Sequence, residues 1–165
     1  MEQPDPENEP LWTMSFDGSC GKAGSRACIR VYNAVNNSAQ GHSYKLNFQC
    51  TNNIAEYEAL LLGLQMLKKL GAKRISVHGD SELVIKQVKG LYATKHARLR
   101  VYMNVVLDFL RNFEEYDLAL IPINENVLAN DLAFSSSTCK LPQLNKQHII
   151  EVKYHPSMPD NMRNW

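Results

Sequence analysis

Three acids stand where a charge is expensive. Asp17 closes the apolar run that begins at Leu11, Glu56 falls inside the apolar stretch opening at Ile54, and Asp80 stands one glycine beyond the run Arg74–His78, directly before a helix-forming segment. A fourth position, the pair Asn130-Asp131, opens the last periodic stretch of the chain. A charge bordering apolar sequence costs free energy unless it is paired or bound to a cation. Taken singly, each acid has a plain structural role: Asp17 as the turn residue of Asp-Gly, Asp80 as a helix cap beside Ser81, Glu56 as an acid favoured by a helix start. Taken together, at the ends of strands in a mixed α/β sequence, they have the makings of one acidic cluster. Such a cluster suits the hydrolysis of a phosphodiester by divalent cations: carboxylates hold two ions about 3.5–4 Å apart, which activate water and stabilise the leaving oxygen. No side-chain nucleophile is then required.

The elements that must position these acids follow from the hydrophobic period. In Leu11–Asp17 the alternation of Trp12, Met14 and Phe16 with Thr13, Ser15 and Asp17 predicts a half-buried strand that Gly18 stops. Arg26–Ala34 and Ser43–Cys50 are similar runs, separated by the amide-rich turn at Asn36–Ser38. The period then changes. Thr51-Asn52-Asn53 supplies capping side chains, Glu56 is expected in the first turn with Glu58 close behind, and a helix apolar on most faces runs to Leu70, ended by Gly71. Further along, Arg74–His78 reads as a strand, Ser81–Lys89 and Ala97–Phe113 as helices, Tyr116–Pro122 as a strand and Val127–Ser135 as a final helix. The order predicts an α/β fold: a mixed five-stranded sheet, three antiparallel strands and then two parallel ones, flanked by helices. Residues 1–10, acidic and proline-rich, read as a disordered leader, 11–137 as one domain, and 138–165 as a C-terminal linker or tail with one strand-like run, His148–Tyr154.

Composition bounds the function without naming it. The chain has 165 residues, 44% of them apolar, enough for one domain with a real core. A net charge of +1 gives no global basic field, so affinity for a polyanion must come from local patches and bound cations. Two such patches are Lys86, Lys89, Lys95, His96, Arg98 and Arg100, and Lys68, Lys69, Lys73 and Arg74; an exposed helix face explains either equally well. The four cysteines, Cys20, Cys28, Cys50 and Cys139, have no C-x-x-C pair and no zinc-finger spacing, which predicts free thiols in a reducing compartment. The start resembles no signal peptide, and no apolar run approaches the roughly 20 residues of a membrane helix. An intracellular protein without a membrane partner is expected.

Residues 11–137 resemble a type I ribonuclease H domain. Phe16-Asp17-Gly18-Ser19 is similar to its first-strand motif, Thr51-Asn52-Asn53-Ile54-Ala55-Glu56-Tyr57 to its helix motif, Gly79-Asp80-Ser81 to its third, and Asn126-Val127-Leu128-Ala129-Asn130-Asp131-Leu132-Ala133 to its fourth. The resemblance is nearest to the ribonuclease H region of gypsy-type long-terminal-repeat retrotransposon polyproteins, and Glu151–Asn161 resembles the segment leading from that region toward the integrase. It implies a ribonuclease H-like fold. It also implies cleavage of the RNA strand of an RNA–DNA hybrid using two Mg²⁺ or Mn²⁺ ions held by Asp17, Glu56, Asp80 and the fourth-motif residue. Reverse transcriptase and integrase regions of the same polyprotein are the implied partners. Asn52, Asn53 and Ser81, together with Lys86, Lys89 and Arg98, are the implied hybrid contacts, the basic ones by phosphate contacts that ignore sequence.

Two departures stand out. The family pattern puts an aspartate where this chain has Asn130, and leaves Asp131 in the next slot, about 100° further round a helix. Asn130 can ligate through its amide oxygen, while a shifted helix start would point Asp131 inward instead. The loop Ile121–Asn126 also lacks the histidine that many type I enzymes carry there. These departures keep a second reading open, a catalytically degenerate nucleic-acid-binding or scaffold domain. A third, a 3′–5′ exonuclease, would want a glutamate at position 19, where the chain has Ser19.

Overall fold

The computed structural model describes residues 11–35, 37–122 and 150–157. The expected leader, the helix Val127–Ser135 with Asn130 and Asp131, and Cys139 lie outside them. In chain order the elements are β1 (Leu11–Gly21), β2 (Gly24–Asn33), β3 (Ser38–Leu46), α1 (Asn52–Lys69), β4 (Arg74–Gly79), α2 (Glu82–Val88), α3 (Ala97–Leu110), β5 (Glu115–Leu120) and β6 (Ile150–Lys153). They form one mixed sheet in the order β5-β4-β1-β2-β3-β6. The pairs β1–β2 and β2–β3 are antiparallel, whereas β1–β4, β4–β5 and β3–β6 are parallel.

The α/β ribonuclease H-like arrangement of three antiparallel strands followed by parallel ones stands as expected, with one correction: the sheet has six strands, not five. The sixth comes from the region expected to be a tail. β6 falls within the strand-like run His148–Tyr154, and the difference lies in its placement: it pairs with β3 as an edge strand of the sheet instead of lying outside the domain.

A second correction concerns β1, which does not stop at Gly18 but continues to Gly21, pairing Gly18 with Ala27 and Gly21 with Gly24. A tight loop, Lys22-Ala23, then joins β1 to β2, and Gly24 takes the positive φ of 114° that the reversal needs. Glycine at 18 serves another purpose, described below. β3 also starts and ends earlier than the run Ser43–Cys50 suggested, because the Asn37 turn, with φ at 55°, admits the chain directly into the strand at Ser38.

α1 is the central element. Thr51 caps it, Oγ1 accepting from Ile54 N at 3.2 Å. At the other end Gly71 N donates to Lys68 O and Ala72 N to Leu67 O, with Gly71 at φ 80°, a glycine-ended C-cap. Between the caps Ile54, Leu60, Leu61, Leu64 and Leu67 are all but fully buried, and the helix packs on β1, β2 and α3. Each such leucine contributes about 1.5–3 kcal/mol by leaving water. The cap at Thr51 places Glu56 at the fifth helical position, in the second turn rather than the first.

Cys20 and Cys50 are free thiols, but Cys28 is disulfide-bonded, so the expectation of free thiols throughout fails at that position. Among the described residues no helix is long and apolar enough to cross a membrane.

Candidate metal centre

Parallel pairing of β1 with β4 sets up the site. The register ends at Phe16 opposite Gly79, so Asp17 and Asp80 are the next residues along two neighbouring strands. α1 supplies the third acid because its N-terminal turns lie directly on β1: a Cβ on Gly18 would sit 2.2 Å from the Ala55 carbonyl carbon and 2.4 Å from Glu56 N. Only glycine permits that approach. The freed space brings Glu56 over the strand, where Gly18 N donates to its Oε1 at 3.0 Å.

Asp17, Glu56 and Asp80 therefore converge, each offering an oxygen within 4.8 Å of the other two. Asp17 is 2% exposed and Glu56 8%, while Asp80 lies half-buried at the rim. Burial is the first cause, and the negative charge of Asp17 the second, of a Glu56 pKa raised well above 4.5, to about 9; Asp80 adds to the rise and the Gly18 hydrogen bond opposes it. Glu56 Oε2 is buried with no hydrogen-bond partner. Three crowded carboxyl groups, one with an oxygen lacking any protein donor, fit a hard divalent cation such as Mg²⁺ or Mn²⁺, whose charge would relieve both the repulsion and the orphaned oxygen.

The implied substrate residues are more dispersed. Asn52 Oδ1 accepts from Cys20 N at 2.7 Å, tying the end of β1 to the start of α1, and Asn53 is half-buried beside it. Ser81 caps α2, its Oγ accepting from Val84 N at 3.4 Å. Lys86 is engaged within the protein: its Nζ is 2.8 Å from Glu82 Oε1 and stands over the Tyr92 ring, and Tyr92 OH donates to the same carboxylate. Lys89, at the C-cap of α2, is exposed. Arg98, in α3, reaches Gln49 O at 3.5 Å. Asn130 and Asp131 lie outside the described residues. His78 sits beside Ser76 Oγ at 3.0 Å with its pKa lowered by burial, a structural setting, and His96 begins α3 without capping it.

Two residues of weight were passed over in the sequence. Gly18 reads there as a strand stop. Glu58 reads as one more early-turn acid, yet it is 0% exposed, and its Oε1 accepts from Tyr102 OH at 2.6 Å and from Ser157 N at 2.7 Å. The signal for Glu58 was an acid enclosed by Tyr57, Ala59 and Leu60 in a helix apolar on most faces.

The model of the family described as reverse transcriptase-like matches residues 15–136. A bifunctional protein of Mycobacterium tuberculosis is 32% identical over 116 residues, which cover 70% of this chain and 31% of that protein. Ribonuclease HI of Halobacterium salinarum is 34% identical over 85 residues, 52% of this chain and 43% of the enzyme. The chain thus spans less than half the length of these relatives. The solved N-terminal RNase H domain of the Mycobacterium tuberculosis protein superposes with a TM-score of 0.63 at 25% identity, over 72% of this chain and 87% of that one.

Proposed function

We propose that this chain, which belongs to the reverse transcriptase-like family, is a type I ribonuclease H domain that hydrolyses the RNA strand of an RNA–DNA hybrid internally. The observation that carries the reading is the convergence of the Asp17, Glu56 and Asp80 carboxyl groups within 4.8 Å. Asp17, Glu56 and Asp80 would hold divalent cations, with Asn130 as the fourth ligand through its amide oxygen and Asp131 the alternative. Two bound Mg²⁺ or Mn²⁺ ions supply an activated water and neutralise charge on the leaving oxygen.

The protein's own part is placement. Gly18 N fixes one oxygen of Glu56, leaving Oε2 for the cation. The β1–β4 register holds the two aspartates side by side at the end of the sheet, where a backbone phosphate can be presented without burying the duplex. Asn52 and Asn53, beside that end, contact the minor groove, where 2′-hydroxyls distinguish RNA from DNA. Ser81, Lys86, Lys89 and Arg98 meet the backbone of the hybrid, Lys89 with the least competition from protein partners. The motif order and the integrase-like segment Glu151–Asn161 support a place beside reverse transcriptase and integrase regions in a retrotransposon polyprotein.

The test is a labelled hybrid with both ends blocked, incubated with the protein and Mg²⁺ or Mn²⁺. Internal RNA cuts leaving 5′-phosphate and 3′-hydroxyl ends are expected, and an exonuclease would leave the substrate whole. Asn130, at the family's aspartate position, favours a second reading, a binding domain that has lost catalysis. Tight hybrid binding without cleavage, unrestored by Asn130→Asp, would establish that reading instead.

A further inference from the structure

We infer that Glu58 is a positioning residue for the acidic cluster, and that the segment Ile150–Ser157 acts on the cluster through it. The inference rests on the nuclease reading for the cation by which it is measured. Glu56 and Glu58 are two residues apart on α1, about 200° around the helix. One carboxyl group therefore faces Asp17 and Asp80 while the other faces α3 and the C-terminal segment.

The surroundings of Glu58 are specific. It is 0% exposed, and its Oε1 has two donors, Tyr102 OH in α3 at 2.6 Å and Ser157 N at 2.7 Å. Its Oε2 is buried with no hydrogen-bond partner. Tyr102 also stacks on Tyr57, the residue between the two glutamates, with ring centroids 5.7 Å apart, and Tyr57 OH donates to Gln87 Oε1 in α2 at 2.6 Å. Ser157 is brought to this place by β6, which pairs with β3 and accepts from Asn47 N at Lys153 O, 2.8 Å. The segment is thus a strap: it joins the sheet edge, crosses to α1 and delivers a backbone N–H to a buried carboxyl group.

A buried carboxyl oxygen that loses a donor is costly, and the cheapest relief is movement of the turn that carries it. That turn also carries Glu56, whose Oε1 accepts from Gly18 N. Loosening the strap or Tyr102 therefore displaces a cation ligand without touching the cation site itself.

The experiment is Mg²⁺ binding to the full chain without substrate, by calorimetry and by the Mg²⁺ dependence of Tm, for the parent, Tyr102→Phe, Ser157→Pro, Glu58→Gln and Glu58→Ala. Tyr102→Phe, Ser157→Pro and Glu58→Ala each raise the Mg²⁺ Kd by about tenfold, the lower end of what losing an outer hydrogen bond to a ligand costs, because the support reaches Glu56 through the turn it shares with Glu58. Glu58→Gln keeps the accepting oxygen and stays near the parent. Should Ser157→Pro fail to fold, Tyr102→Phe, which retains the ring, decides. Parent-like Mg²⁺ affinity in Tyr102→Phe and Glu58→Ala, even with a lowered Tm, overturns the inference alone and makes Glu58 merely structural. A parent that binds no Mg²⁺ overturns the nuclease reading and this inference together.

Discussion

Gly18 donates its N–H to Glu56 Oε1 at 3.0 Å and leaves no room for a side chain, since a Cβ there would stand 2.2 Å from the Ala55 carbonyl carbon. Strand and helix meet backbone to backbone at this point, and the acidic cluster exists because they do. Gly18→Ala must push α1 away from β1. A loss of about 1–3 kcal/mol in stability is expected for such overpacking, measured by urea denaturation, together with loss of Mg²⁺ binding. Parent-like Mg²⁺ affinity in the variant would show that the close approach is incidental.

The raised pKa of Glu56 sets a pH dependence. Below pH 4.5 the group is protonated in both folded and unfolded chains; between 4.5 and about 9 the unfolded chain releases the proton while the folded one keeps it. The unfolded state binds fewer protons over that window, so metal-free stability falls as pH rises through it and levels off above it. Glu56→Gln should flatten this part of the curve. Because cation binding must displace the same proton, Mg²⁺ affinity should rise with pH by at most about tenfold per unit. Calorimetry in buffers of different ionisation enthalpy reads the released proton directly.

Lysine contributions to hybrid binding should differ within α2. Lys86 already spends its charge on Glu82 at 2.8 Å, whereas Lys89 is exposed at the helix end. Removing one phosphate contact lowers the slope of log K against log salt by about 0.9. Lys89→Ala should show that change equally for unrelated hybrid sequences, and Lys86→Ala should show less of it. Filter binding across a salt series checks both.

Tyr57→Phe should leave the buried Gln87 Oε1 without its donor and cost about 1–3 kcal/mol. Replacing both partners, Tyr57→Phe with Gln87→Leu, should cost less than the two single losses summed. Denaturation of the four proteins in the cycle settles the coupling.

Much of this was legible in the residues. Alternation in β1, the apolar helix closed by Gly71 and the strand before Asp80 were readable because each has a strong hydrophobic pattern. Asp17, Glu56 and Asp80 stood out as charges in apolar surroundings. The reach of β1 past Gly18 was not legible, because a glycine that stops a strand and one that admits a helix look alike until the helix is placed. The strand-like run His148–Tyr154, within which β6 lies, was legible, but its place in the sheet was not, because its pairing with β3 joins segments far apart in the chain. Glu58 belongs with β6, since its burial depends on Tyr102 and Ser157, 44 and 99 residues away.

If Asp17, Glu56 and Asp80 form one cation-binding pocket that serves hybrid cleavage, Mg²⁺ binding and RNA cutting must fail together when one of the three is neutralised. The most direct measurement is a paired assay of the parent and Asp80→Asn, following Tm against Mg²⁺ and internal cleavage of an end-blocked hybrid. The parent should gain Tm with Mg²⁺, as a ligand bound only by the folded state requires, and should cut the RNA strand, while Asp80→Asn does neither. A parent whose Tm ignores Mg²⁺, or an Asp80→Asn variant that cuts as fast as the parent, would contradict the account.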